Sequence, residues 1–260
     1  MAAVFLFPII IVLINSFKLK FSIASAPFVF PTAETFTGLE NYIVGINSTG
    51  FLSAFGWSLF ITVFSVLAII IFTSMTAWYI VRVKNILNYL IYYALVFSMI
   101  VPFQMVMFTM SKTANVLMLD NPLGIIIIYL GFGAGLSTFI FTGFIKSVPK
   151  TIEEAATIDG CNPLQVFWRV VFPILKPTTI TIAILNSMWI WNDYLLPYLV
   201  IGKDYKTIPI AVQYLKGGYG SVDMGAMMAL LVLSIIPVVV FYLLGQKYII
   251  KGVAAGAVKG

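Results

Sequence analysis

An all-α integral membrane protein with about six transmembrane helices is the fold class this sequence predicts. Three observations carry it. Of 260 residues, 61% are hydrophobic and only 9% are charged, against about 25% charged in an ordinary soluble domain. The few charges divide the chain into uncharged stretches near the length of about 20 residues that crosses a bilayer. Those charges are also shared unequally between alternate loops, as membrane topology demands. The apolar content excludes a disordered chain as well.

Taken in order, the expected spans are about 2–17, 53–80, 86–110, 122–145, 177–201 and 224–246, within one transmembrane domain covering 1–260. The first precedes Lys18 and is the shortest. Ala24-Ser25-Ala26 fits a signal-peptidase site, but no basic residues precede the apolar run and Pro27 follows the cut, so a retained helix is expected. Its abrupt start is compatible with cytoplasmic residues ahead of Met1. Residues 18–53 are polar and broken by Pro27 and Pro31, and read as an external loop with a short interfacial helix near 37–46.

In the third span Pro102 and Gln104 interrupt the helix ladder, which is tolerated beside a cavity. Met99, Met105, Met107 and Met110 around them read as flexible core fillers. The fourth holds Gly131-x-x-x-Gly135, the spacing of a close helix crossing. The fifth carries Asp193, the sole carboxylate inside an expected span, and in the sixth Pro237 predicts a kink.

Loop charges set the orientation. Loops 2–3 and 4–5 with the C-terminal tail hold nine basic and three acidic residues, and the opposite side six and five. The positive-inside rule therefore predicts both termini in the cytoplasm. The net charge of +6 reflects this topology and carries no nucleic-acid footprint. The chain has no histidine and a single cysteine, Cys161. It thus lacks the usual near-neutral acid–base group, and neither a disulfide nor a cysteine-rich metal site is expected. No G-x-x-x-x-G-K-[ST] loop is present to cradle phosphates.

The loop 146–176 has an unusually clear grammar. Pro149 ends the preceding helix, and Thr151 with Glu154 has the spacing of a capping box. The short helix that follows stops at Gly160. Asn162 then caps a second helix with Pro163 at its first turn, running from Leu164 to Phe172 and ending at Pro173. Two short helices meeting at a glycine make a knob suited to docking in a cleft of a partner.

At these residues the chain resembles the inner-membrane permease subunits of binding-protein-dependent ABC importers. Their signature is E-A-A, three residues, G, nine residues, then I-x-L-P. Here it stands as Glu154-Ala155-Ala156, Gly160 and Val170-x-Phe172-Pro173, with Val and Phe in place of the aliphatic pair. The resemblance extends over nearly the whole chain to the carbohydrate-importing, maltose-permease-like branch. It is carried by Ser16-Phe17-Lys18, Leu39-Glu40-Asn41-Tyr42, Ala77-Trp78-Tyr79 ahead of Arg82, Trp191-Asn192-Asp193-Tyr194 ahead of Pro197, and Gln246-Lys247-Tyr248 with the glycine-rich tail.

The resemblance implies a coupling helix that docks on an ATPase subunit, with Glu153, Glu154, Ala155, Ala156, Asp159 and Gly160 as docking residues. It further implies a second permease subunit, two ATPases that hold ATP and magnesium, an extracytoplasmic solute-binding protein, and a bacterial cytoplasmic membrane. No cofactor is expected in this chain itself. The implied cargo is a di- or oligosaccharide, with glycerol-phosphate derivatives as outliers.

Asn186, Trp189, Asp193 and Pro197 would share one face of a continuous helix. With Asn192 and Gln104 they are candidates for the substrate pathway, Trp189 offering a stacking surface for a sugar ring. Interhelical packing and an aromatic belt explain the same residues equally well. In the loop after Lys203, Tyr214, Gly217, Gly218 and Tyr219 are candidates for contact with the binding protein; an ordinary connector is the alternative. Two rival readings stand beside the importer. One is a self-sufficient proton-coupled secondary transporter using Asp193, and the other, disfavoured by the absent histidine, is a membrane enzyme.

Overall fold

The computed structural model describes residues 2–202, 204–213, 215 and 223–257; at 2, 3, 244, 245 and 247–257 only the backbone is described. Tyr214, Gly217, Gly218 and Tyr219 lie outside the described residues. The described chain is helical, with one isolated antiparallel bridge between Lys18 and Phe36. In order the helices are α1 (Ala2–Asn15), α2 (Lys20–Ser25), α3 (Glu40–Thr49), α4 (Phe51–Arg82), α5 (Ile86–Ser98), α6 (Phe103–Val116), α7 (Pro122–Ile145) and α8 (Lys150–Ile158). There follow α9 (Pro163–Val166), a π turn (Phe167–Val171), α10 (Phe172–Ile174), α11 (Lys176–Asn192), α12 (Leu195–Val200), α13 (Ile208–Gln213) and α14 (Met224–Ala257).

Three of the expected spans are single helices long and apolar enough to cross a membrane: α4, α7 and the start of α14. At 1.5 Å per residue, the 32 residues of α4 reach about 48 Å, beyond a hydrocarbon core of about 30 Å. The end carrying Trp78 and Arg82 can therefore stand clear of the lipid. Two other spans depart from straight crossings. The expected 86–110 is α5 and α6, bent by 108° across Met99–Pro102. Proline there has no N–H to continue the ladder, and residues before it disfavour the helical region. The expected 177–201 stops at Asn192 and resumes at Leu195, and α11 is itself bent by 77° from the helical stretch before it. The first expected span is the 14-residue α1, about 21 Å long.

The chain folds as two compact units: residues 1–59 with 192–241, and residues 60–191 with 242–260. In the first unit, motifs far apart in sequence form one junction. The Asn41 side-chain amide donates to the carbonyls of Ser16 (2.9 Å) and Lys18 (2.8 Å), and the Ser16 and Tyr42 hydroxyls lie 2.7 Å apart. Gly225 packs on Asn41 so closely that a Cβ would lie 2.5 Å from its Oδ1. The Ile208 N–H donates to Ser58 Oγ at 2.8 Å.

Lys18 is buried in this junction at 2% exposure, its Nζ donating to the Ala26 carbonyl at 3.0 Å, and among the described residues no carboxylate pairs with it. Burial holds its pKa below the ordinary lysine value, because desolvation penalises the charged form. Over the interval from that lowered value up to about 10.4 the unfolded chain binds the extra proton, so stability rises with pH there. Lys18→Met is expected to abolish this rise in thermal unfolding measured at several alkaline pH values. The same slope in the variant would refute the assignment.

The second unit holds α5 to α11 and most of α4. Within it α7 packs through small residues. A Cβ on Gly133 would meet Ile69 of α4 at 2.5 Å, and one on Gly135 would meet the Leu95 carbonyl of α5 at 2.5 Å. Gly131 has open space around it. The expected Gly131/Gly135 crossing is thus corrected: Gly133 and Gly135, two residues apart and on different faces, each admit a different neighbour.

Candidate functional site

The loop between α7 and α11 folds as the expected knob, with two local corrections. Pro149 sits at the N-cap in extended conformation and α8 starts at Lys150, so Thr151 falls inside the helix and forms no capping box with Glu154. The capping box forms one helix later, where Asn162 Oδ1 accepts the Gln165 N–H and Gln165 Oε1 accepts the Asn162 N–H, both at 2.9 Å. The second helix also passes Pro173, through the π turn, and ends at Ile174.

Gly160 closes α8 as a Schellman motif. Its N–H donates to the Thr157 carbonyl (3.0 Å), and the Cys161 N–H donates to that of Ala156 (3.0 Å). The φ of Gly160 is +88°. A Cβ there would touch nothing within 4 Å, so glycine is required for backbone conformation and not for space.

Of the expected docking residues, Glu154, Ala155, Asp159 and Gly160 are exposed and Ala156 is half-buried. Ile158 joins them at 86% exposure, a large apolar side chain that no motif in the sequence singles out. Glu153 is a correction, because it turns inward. Its Oε2 accepts from Trp78 Nε1 at 2.9 Å, and its Oε1 accepts from Arg82 Nε at 2.9 Å and Nη2 at 2.6 Å. Arg82 Nη2 also donates to the Val148 carbonyl at 3.0 Å. This clamp fastens α8 to the end of α4. Trp78 meanwhile packs on Phe167 of the π turn at 5.5 Å between ring centroids. The signal available in the sequence is Trp78 and Arg82 four residues apart on one helix face, but their partner lies 71 residues away from Arg82.

The pathway candidates separate. Asn186 is buried and donates to Ser137 Oγ of α7 (3.2 Å) and to the Ile182 carbonyl (2.9 Å). Trp189, 41% exposed, meets the buried Tyr129 ring edge-on at 5.4 Å. Gln104 is exposed in the first turn of α6. Asn192 is exposed at the end of α11. Asp193 does not continue a helical stripe from Asn186 and Trp189, because α11 has ended. Its Oδ1 instead accepts the N–H of Leu195 (3.0 Å) and of Leu196 (3.3 Å), starting α12.

Among the described residues no group of three or more carboxylate, cysteine or histidine ligands could hold a metal. The clamp links α8 mechanically to the end of α4.

The chain as a whole is similar to known transport proteins. The probable starch degradation products transport system permease protein AmyC of Thermoanaerobacterium thermosulfurigenes is 40% identical over 253 residues, covering 97% of this chain and 91% of the relative. The multiple sugar-binding transport system permease protein MsmG of Streptococcus mutans is 36% identical, covering 98% and 92%. Among solved structures, a chain of a bacterial ABC transporter involved in import of the acidic polysaccharide alginate superposes with a TM-score of 0.79 at 26% identity, covering 95% of this chain and 91% of that one. Residues 69–255 match the family described as binding-protein-dependent transport system inner membrane component, a transport permease and not an enzyme, and to that family this chain belongs.

Proposed function

We propose that this chain is the membrane-spanning subunit of an ATP-driven sugar importer, and that the exposed face of α8 is where an ATPase subunit docks. The observation that carries the docking is the division of labour on one short helix. Glu153 fixes α8 to α4 from within, while Glu154, Ala155, Ile158 and Asp159 stand exposed on the outside. A helix so fastened passes a push on its outer face into the long α4 with little slack. The small Ala155 leaves room for another backbone to approach closely. A second permease, a second ATPase and an extracytoplasmic binding protein complete the assembly, and both termini lie in the cytoplasm.

Sugar as cargo draws support from the names of the relatives, which speak of starch degradation products and multiple sugars. The rival reading, proton-driven transport through Asp193, needs that carboxylate to bind and release protons in the pathway. Its hydrogen bonds to the first N–H groups of α12 favour a structural role and so favour the ATP-driven reading.

Ala155→Trp should leave membrane insertion and the isolated ATPase intact, while sugar uptake by the assembled transporter falls roughly tenfold or more, the scale of losing an interface anchor. Gly160→Ala, which forces an ordinary residue into left-handed backbone at about 1–2 kcal/mol, should impair uptake less. Radiolabelled oligosaccharide uptake beside ATP hydrolysis in proteoliposomes reads both. Undiminished uptake by Ala155→Trp would sink the docking claim, and ATP-independent, proton-driven uptake by this chain alone would sink the importer.

A further inference from the structure

Where α4 ends, α5 begins and α7 ends, the second unit holds a cavity of about 590 Å³. Its lining includes Arg82, Lys84, Lys146 and Lys150, with Tyr89, Tyr92 and Tyr93 and no carboxylate. Arg82 is occupied by Glu153 and the Val148 carbonyl. Lys84 and Lys150 are exposed, and their side chains make no ion pair among the described residues. Lys146 has the face of Tyr92, 5.8 Å from its Nζ. Three cations thus converge on one hollow with no carboxylate in its walls to neutralise them, an arrangement whose mutual repulsion a bound anion would relieve.

The surroundings specify the kind of anion. The cavity lies where α4 ends, α5 begins and α7 ends, and it is lined by three tyrosines, a residue type enriched at membrane interfaces. From it α5 runs on with an exposed apolar row, Leu87 at 60%, Leu90 at 60% and Tyr93 at 65% exposure. A soluble phosphate would use the cations and leave that row idle, and so would an acidic protein surface. A phospholipid uses both, its phosphodiester on the lysines and its acyl chains along α5.

We propose that this cavity is a binding site for the headgroup of an anionic phospholipid of the phosphatidylglycerol type. Lys84, Lys146 and Lys150 contact the phosphodiester and the tyrosines line the glycerol level. The site is separate from the exposed face of α8, although Arg82 and Lys150 border both regions. Bound lipid would brace the junction from which the Arg82 clamp reaches α8. The proposal rests on insertion in a membrane and not on the identity of the cargo.

Native mass spectrometry of the full chain, released from detergent with phosphatidylglycerol or with phosphatidylcholine of the same acyl chains, tests it. Phosphatidylglycerol is expected to be retained in clear preference. Neutralising lysines in K84Q and K146Q should weaken that retention roughly fivefold each and roughly 25-fold together. The charge-preserving pair K84R and K146R should retain it, as should K112Q, which changes an exposed lysine of α6 outside the cavity. Equal retention of the two lipids would overturn the site, and so would unchanged retention in the double glutamine variant or loss in the double arginine variant. Displacement of phosphatidylglycerol by low millimolar inorganic phosphate would assign the hollow to a soluble anion and overturn the lipid.

Discussion

Glu153→Ala is expected to abolish sugar uptake by the assembled transporter and to destabilise the purified chain by about 3 kcal/mol. That is the lower range for removing one partner of a buried ion pair. The side chains of Arg82 and Glu153 are 14% and 11% exposed, so the guanidinium left behind is poorly solvated, and the Trp78 N–H loses its acceptor at the same stroke. Glu153→Gln keeps a single acceptor oxygen, for Arg82 or for Trp78 but not for both, and should recover only part of the loss. Arg82→Ala should resemble Glu153→Ala. The double variant should be milder than the sum, because neither charge is then left alone. Thermal unfolding of the four proteins reads the coupling, and a strictly additive double variant would show that the clamp contributes nothing as a pair.

Gly135→Ala should be damaging, conservative as the change is. Alanine inside a helix normally gains about 1 kcal/mol over glycine. At Gly135 the added carbon would lie 2.5 Å from the Leu95 carbonyl oxygen, 2.7 Å from Met99 Cγ and 2.8 Å from Ser98 Oγ. A side chain can swing aside, but a backbone carbonyl inside α5 cannot move alone, so α5 and α7 must separate. Overpacking of this kind typically costs about 1–3 kcal/mol. Gly131→Ala, four residues earlier with nothing within 4 Å, should be neutral or stabilising. The pair isolates packing from propensity, and equal unfolding temperatures would refute the close crossing.

What can be read from the sequence follows from what each signal measures. Apolar length and loop charge report on the solvent around a helix, so the unbroken crossings α4 and α7 fall close to the expected 53–80 and 122–145. The break at Pro102 is visible as a missing donor, but its 108° bend depends on what α6 packs against, which no local residue encodes. The Thr151/Glu154 and Asn162/Gln165 pairs have the same capping spacing, and only the second is used. The extended N-cap at Pro149 starts α8 too early for the first.

Likewise the resemblance groups Glu153 with Glu154 of the E-A-A run. A helix turns about 100° per residue, and that rotation sends one carboxylate to Arg82 and its neighbour outward. Asn186 has two equal readings from sequence, and its bond to Ser137 supports packing. Asp193 falls on a helical stripe only if the helix continues, and nothing nearby in the sequence announces that α11 ends at Asn192.

The π turn at Phe167–Val171 has a consequence for chain length. Such a turn is commonly an α-helix that has gained one residue, and removing a residue would restore the ordinary repeat. A residue lost from the π turn would therefore leave the phase downstream nearly as it is, whereas one lost from the regular turns of α11 before Asn186 would rotate that side chain by about 100°, away from Ser137. Within α11 the residue count up to Asn186 is thus as constrained as any side chain. The π turn is where the stretch can give up a residue and still aim α11 the same way.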